Sequence, residues 1–340
     1  MNNITIIITT VVPAVDQTQL VVLLNLLIKN FSQYLDCFAW IVGNIGAICT
    51  CIVFHQSIFR KSPCAMYFIA SSFSQLFIFN FAAFTRMIQY GYGVQVNSAP
   101  AWFCKLRFYI YYVSMASARY NIIFASTDRY LCSSQTIARR RWSSPKIALC
   151  LIIGALIISL VVYITVLVLF DVKNDKCRIH SAAIFTAFSY FITFENGFFP
   201  IIPMSIFGLL TIHNIHQSKR RTATTQPINK SQHGHTERAT KKETQLHRML
   251  ANQVIAYFIF NIPLPVYSTY RSYNNFNLLT GWRALMDTLI NNLCFDMIYL
   301  GYALTFTNFL LSSDIFRREM KKIIQRRVLR PCRRQLVPEN

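Results

Sequence analysis

Seven long apolar stretches, near 35–55, 64–89, 103–132, 146–170, 181–212, 247–270 and 284–311, dictate what this chain can become. Each reaches the roughly 20 residues that an α-helix needs to cross the hydrocarbon of a bilayer. No water is present there to satisfy bare peptide groups, so a crossing stretch of this length has to be helical. The expectation is an all-α membrane protein: a seven-transmembrane helix bundle over 34–312, an outer amino-terminal segment over 1–33, and a short amphipathic cytoplasmic helix with a basic tail over 313–340. The run Leu20 to Ile28 is too short to span. It lacks a basic lead-in and a small-residue cleavage site, so no signal peptide is expected.

Orientation follows from where the basic residues fall. Of the 34 Lys and Arg, 24 lie at the inner end of segment three or in the blocks after segments one, three, five and seven. The positive-inside rule makes that side cytoplasmic. The amino terminus is then outside, the carboxyl terminus is cytosolic, and the chain is a multi-pass protein of the plasma membrane. A net charge of +21 would suit nucleic acid only on one basic face of a soluble domain. With 54% hydrophobic and 14% charged residues, soluble enzymes of ordinary composition are excluded, and no nucleic-acid partner is expected. Residues 213 to 245 are polar and basic, and are expected to form a flexible cytoplasmic loop. Ile315 to Leu329 carries apolar residues at near-helical spacing among Arg and Lys, the pattern of a helix lying on inner-leaflet lipids. Asn3 and Asn30 each begin an Asn-x-Ser/Thr acceptor for N-glycosylation. Cys332 is either a palmitoylation site or a free thiol. No CxxC pair, Cys/His metal spacing or nucleophile–base pair stands out, so neither a metal, a cofactor nor an enzyme is expected.

The third segment is the most informative. From Cys104 to Arg129 there are 25 steps, about 38 Å of helix at 1.5 Å per residue. One helix therefore sets a cysteine at the outer mouth and Asp128-Arg129-Tyr130 at the inner mouth. Together they resemble the rhodopsin-like (class A) G protein-coupled receptors. The resemblance covers about 34 to 324. It implies a disulfide from Cys104 to Cys177, a heterotrimeric G protein as partner, and an arginine held by its aspartate until activation frees it for that protein. Glu243 falls where many members have an acidic partner for the arginine. Gly43-Asn44 is similar to a family pair, with Asn44 expected to face the bundle. The chain departs from the family at Gln75, which stands where an aspartate usually helps to hold sodium. Asn261 stands for the tryptophan two residues before a helix-six proline, here Pro263, and Phe309 stands for a tyrosine near the end of segment seven.

Three further charges, Arg119, Glu195 and Asp296, lie inside spanning segments, where an ionisable residue is costly and marks a functional candidate. Arg119 can pair with either acid. The expected polar network comprises Asn44, Gln75, Arg119, Glu195, Asn261 and Asp296. The expected ligand pocket is lined by Arg107, Tyr111, Met115, Tyr190 and Tyr299, with Arg86 and Asp287 at its rim. Arg86 fits a snorkelling role equally well. Tyr111 falls where amine receptors of the resembling family place an aspartate, and segment seven has no lysine for a retinal Schiff base. A peptide is therefore favoured over lipid or small acidic ligands. A transporter or channel, or a receptor-like protein that does not signal, are the alternatives.

Overall fold

The computed structural model describes residues 17–60, 62–94, 100–173, 176–179, 181–224, 230–273 and 280–325. The chain folds into a helical bundle: α1 Gln17–Phe54, α2 Pro63–Gly91, α3 Ala101–Ser133, α4 Pro145–Leu169, α5 Ala182–Asn214, α6 Thr244–Tyr273 and α7 Trp282–Ser312. A short helix, α8 Asp314–Ile324, follows at once. Between α4 and α5 lies a hairpin of β1 Asp171–Lys173 and β2 Lys176–Arg178, antiparallel, with Val172 opposite Cys177.

Local sequence sets the helix starts. Ser62 precedes Pro63 and Ser144 precedes Pro145, so each helix opens on a proline whose missing N–H costs nothing at that position. Ser313 caps α8 by accepting from the Phe316 amide at 3.2 Å. Asp314 in its first turn and Lys321 and Lys322 in its last complement the helix dipole.

Among the described residues, six helices are long and apolar enough to cross a membrane. The seventh, α3, has the length, 33 residues, but carries Lys105, Arg107, Arg119, Asp128 and Arg129. Its position in the bundle explains this. Over half of α3 is buried against its neighbours, so its polar groups meet other helices and not lipid. The converse holds for α4, where only Ala148, Ala155 and Ser159 of Pro145–Val162 are buried and the exposed face is Leu, Ile and Val. In water such a face would be an aggregation patch; in a bilayer it is the lipid-facing surface.

Among the described residues, three large apolar clusters and a smaller fourth hold the bundle. At the Arg129 end, Phe54, Phe68, Phe309 and Phe316 stack with ring centroids 4.8 to 5.9 Å apart, joining α1, α2, α7 and α8. In the middle, Phe79, Tyr111, Met115, Ile298 and Tyr299 join α2, α3 and α7. At the Cys104 end, Val113, Tyr163, Val166 and Phe170 pack beneath the hairpin. Close approach of α1 and α2 depends on Gly43: a Cβ there would lie 2.3 Å from the Phe79 ring.

Two expectations change. Helix α1 begins at Gln17 and passes through position 33 without a break. The short run from Leu20 is its first turns, with Leu24 and Ile28 buried against Leu289 of α7. Asn30 therefore sits in a helix with Ser32 buried beside it, a poor acceptor for a bulky glycan. The flexible loop expected over 213–245 is helix on both sides of its centre: α5 continues to Thr224, and the helix containing α6 starts at Lys230. Lys, Arg, Gln, Glu and Ala are good helix formers, and they extend helices already nucleated within the bundle. Asn3, Cys332 and the Glu243 side chain lie outside the described residues.

Candidate functional site

Arg119 and Glu195 form an ion pair in the interior of the bundle, between α3 and α5. Arg119 is 1% exposed. A one-turn π-helical stretch, Phe194–Phe198, carries Glu195 and Asn196 together. Such turns insert an extra residue and occur often at functional sites. The arginine donates to Glu195 Oε1 and to Asn196 Oδ1. The carboxylate also accepts from Tyr120 at 2.9 Å and, on its other oxygen, from Tyr163 of α4 at 2.7 Å. Tyr257 of α6 donates to the Asn196 carbonyl at 2.8 Å. One charge pair thus ties together α3, α4, α5 and α6, and the choice between Glu195 and Asp296 is resolved in favour of Glu195.

At one end of α3, Cys104 is bonded to Cys177, which fastens the hairpin to the helix. At the other end Arg129 donates to Asp128 Oδ2 at 2.6 Å, and Ser143, just before α4, donates to Asp128 Oδ1 at 2.6 Å. Arg139 reaches the Tyr130 hydroxyl at 3.0 Å. Beside this cluster, α6 is laced to α7 and α8. Gln253 donates to Thr305 at 3.1 Å, Asn308 to Gln253 at 3.2 Å, Asn252 to Ser312 at 2.8 Å, and Gln245 accepts from Ser313 and from the Ile315 amide.

The family described as 7 transmembrane receptor (rhodopsin family) matches residues 43–310. This chain belongs to that family. Its members are receptors and not enzymes, and the matched stretch runs from Gly43 in α1 almost to the end of α7. No curated protein sequence matches the receptor.

In this receptor the expected polar network separates into groups. Asp296 does not meet Arg119; it faces Asp36 of α1, and the Arg86 cation acts on both acids. Asp36 and Asp296 are 0% and 2% exposed. Gln75 lies among serines, donating to Ser71 at 3.4 Å, while Ser74 donates to Ser117 at 3.0 Å. Asn44 turns to the α1–α2 seam and not to the bundle centre, accepting from Asn80 at 2.8 Å. Asn261 donates to a carbonyl of its own helix, Tyr257, at 3.2 Å.

The expected pocket residues divide as well. Arg86 donates to Asn292 and lies over the Phe295 ring at 4.1 Å. Tyr111, Met115 and Tyr299 are buried beside it in one cluster, and Arg107 lies toward Arg86, Tyr90 and Tyr299. Arg86 is thus half-buried against aromatic rings and not snorkelling to headgroups. Asp287 is held by Tyr267 and by Arg271 at 3.2 Å. Tyr190 is misplaced in the sequence reading: it is 48% exposed and lines an outward groove of about 650 Å³ between α5 and α6. Residues 190 and 195 are five apart, about 140° around a regular helix at 100° per residue, so Tyr190 faces out where Glu195 faces in. The sequence reading missed Asp36, Asn80, Tyr120, Tyr163, Asn196, Tyr257 and Asn292. Only Asp36, a lone acid in an apolar run, carried a signal.

Proposed function

We propose that this receptor binds an extracellular ligand, a peptide by preference, and activates a heterotrimeric G protein through the Arg129 end of its bundle. In this reading the receptor sits in the plasma membrane with its amino terminus outside and its carboxyl terminus in the cytosol. Arg86, Arg107, Tyr111, Met115 and Tyr299 contact the ligand, and Asp287 edges the entrance. Asp128 restrains Arg129, and ligand binding shifts an existing equilibrium toward the form in which that restraint is released.

The observation that carries the reading is α3 itself. A single rod has the disulfide at one end, an aspartate-held arginine at the other, and between them a buried ion pair bonded to three further helices. A shift at the ligand end cannot leave those helices unmoved, because Glu195 accepts from α3 and α4 while Asn196 accepts from α6. The test is nucleotide exchange on purified G proteins, with and without peptide pools. A signalling receptor accelerates exchange, at least basally, and Arg129→Ala removes the acceleration. A second reading, a receptor-like protein that no longer signals, is favoured by Asn261 and Phe309 standing for the family's aromatic switch and tyrosine. Exchange at the uncatalysed rate with every G protein and every pool would establish it.

A further inference from the structure

Most charged side chains inside this bundle find a counter-charge, and Arg107 does not. Its residue is 7% exposed, one turn below the Cys104 disulfide. Among the described residues it makes no hydrogen bond and no ion pair; the guanidinium lies 5.0 Å from the Phe108 ring centre. Its charged neighbour is another cation, Arg86. Arg86 in turn has a neutral hydrogen-bond partner, Asn292, and rests between the rings of Phe295 and Tyr90 at 4.1 and 5.2 Å. Burying a guanidinium without an anion is expensive, and such residues are retained where something else supplies the charge.

The nearest acids do not supply it. Asp36 and Asp296 have carboxylate oxygens with no donor within reach. They face each other, with Arg86 as the cation beside them. Asp287 is taken by Tyr267 and Arg271. The α2–α3–α7 site therefore holds two guanidinium groups, one of which, Arg107, has no carboxylate paired with it among the described residues, with tyrosine and phenylalanine walls.

We propose that Arg107, with Arg86 behind it, is the anchor for a carboxylate on the ligand, with an apolar or aromatic body lying against Tyr111, Phe295 and Tyr299. A guanidinium matches a carboxylate with two parallel donors, which fixes orientation as well as charge. The carboxylate can belong to the free end of a peptide or to a small organic acid. This deepens the reading of the site as a receptor's ligand mouth and depends on it.

The test uses the full-length receptor in zwitterionic phosphatidylcholine nanodiscs, with thermal unfolding followed by tryptophan fluorescence. The probes are benzoate and acetyl-Tyr-Phe with a free carboxyl terminus, each against its amide. Both acids should raise the wild-type unfolding temperature, on the order of 2 °C near saturation, and the amides should not. A larger shift from the peptide acid points to a chain terminus, and a larger one from benzoate to a small acid. Arg107→Gln should abolish the acid shift and, without probe, unfold at a higher temperature than wild type, because an unpaired buried charge is gone. Equal effects of acids and amides, no shift with either acid, or a lower unfolding temperature for Arg107→Gln would overturn the proposal. If that variant does not fold, the acid-against-amide contrast in wild type decides alone. No G protein enters the assay, so its failure is separate from any failure to catalyse nucleotide exchange.

Discussion

Glu195→Ala offers the sharpest test of how the bundle is held. The substitution removes the only counter-charge of Arg119 among the described residues, in a pair whose side chains are 1% and 7% exposed. Breaking a buried pair from one side costs about 3–5 kcal/mol. The Tyr163 hydroxyl also loses its acceptor, as does that of Tyr120, for about 1 kcal/mol each. The single variant should therefore lose roughly 5–7 kcal/mol, and Arg119→Met, which strands the carboxylate, about 3–5 kcal/mol. The double variant Arg119→Met with Glu195→Leu removes both charges and fills the space. Such replacements are often neutral, so only the tyrosines remain uncompensated, at about 2 kcal/mol. The coupling is then several kcal/mol, far above the roughly 0.6 kcal/mol average for interhelical hydrogen bonds in a membrane. Reversible unfolding in mixed detergent micelles measures all four corners of the cycle. A double variant whose loss equals the two single losses added, within about 0.5 kcal/mol, would refute the pair as the element joining these helices.

Three further outcomes follow from the geometry. Cys177→Ser opens a covalent loop with a sequence separation of 73, which chain entropy values at up to about 4 kcal/mol; unfolding with and without reductant should show wild type falling toward the variant. Gly43→Ala should destabilise by about 1–3 kcal/mol, because its Cβ meets the buried Phe79 ring, whereas Gly154→Ala, with nothing within 4 Å, should be neutral or slightly stabilising in the same assay. Asp128→Asn weakens the hold on Arg129 and should raise basal nucleotide exchange several-fold; a basal rate unchanged from wild type would count against Asp128 as the restraint.

The membrane helices were legible because length and apolarity are read directly, and each of the seven segments matches a helix within a few residues apart from the early start of α1 and the extensions of the α5 and α6 helices to Thr224 and back to Lys230. The disulfide was legible through resemblance, from two cysteines at the ends of known segments. Side-chain partners were harder. Depth along a helix does not fix which way a residue turns, so Arg119 could be placed at the right level without its acid being chosen. The π-helical turn at Phe194–Phe198 changes the facing of everything beyond it, and no residue in that stretch announces it. Asn80 was invisible because a single amide in an apolar run looks the same on a lipid face as inside a bundle. Asp36 sat at the very edge of the 35–55 segment, and its meaning depended on Asp296, 260 positions later.

The polar character of α3 also bears on how the chain is made. A charge at mid-membrane adds about 2.5–3.5 kcal/mol to the cost of releasing a lone helix into lipid, and the acid that cancels Arg119 lies 76 residues downstream. At about 5–20 residues per second, a ribosome needs roughly 4–15 s to deliver it. During that interval α3 should stay at the translocon, escorted by protein, and partition only when α5 emerges. A truncated chain ending after α3 should then insert poorly in a membrane-integration reporter, and one extended through Glu195 should insert well; efficient insertion of both would show that the helix needs no escort.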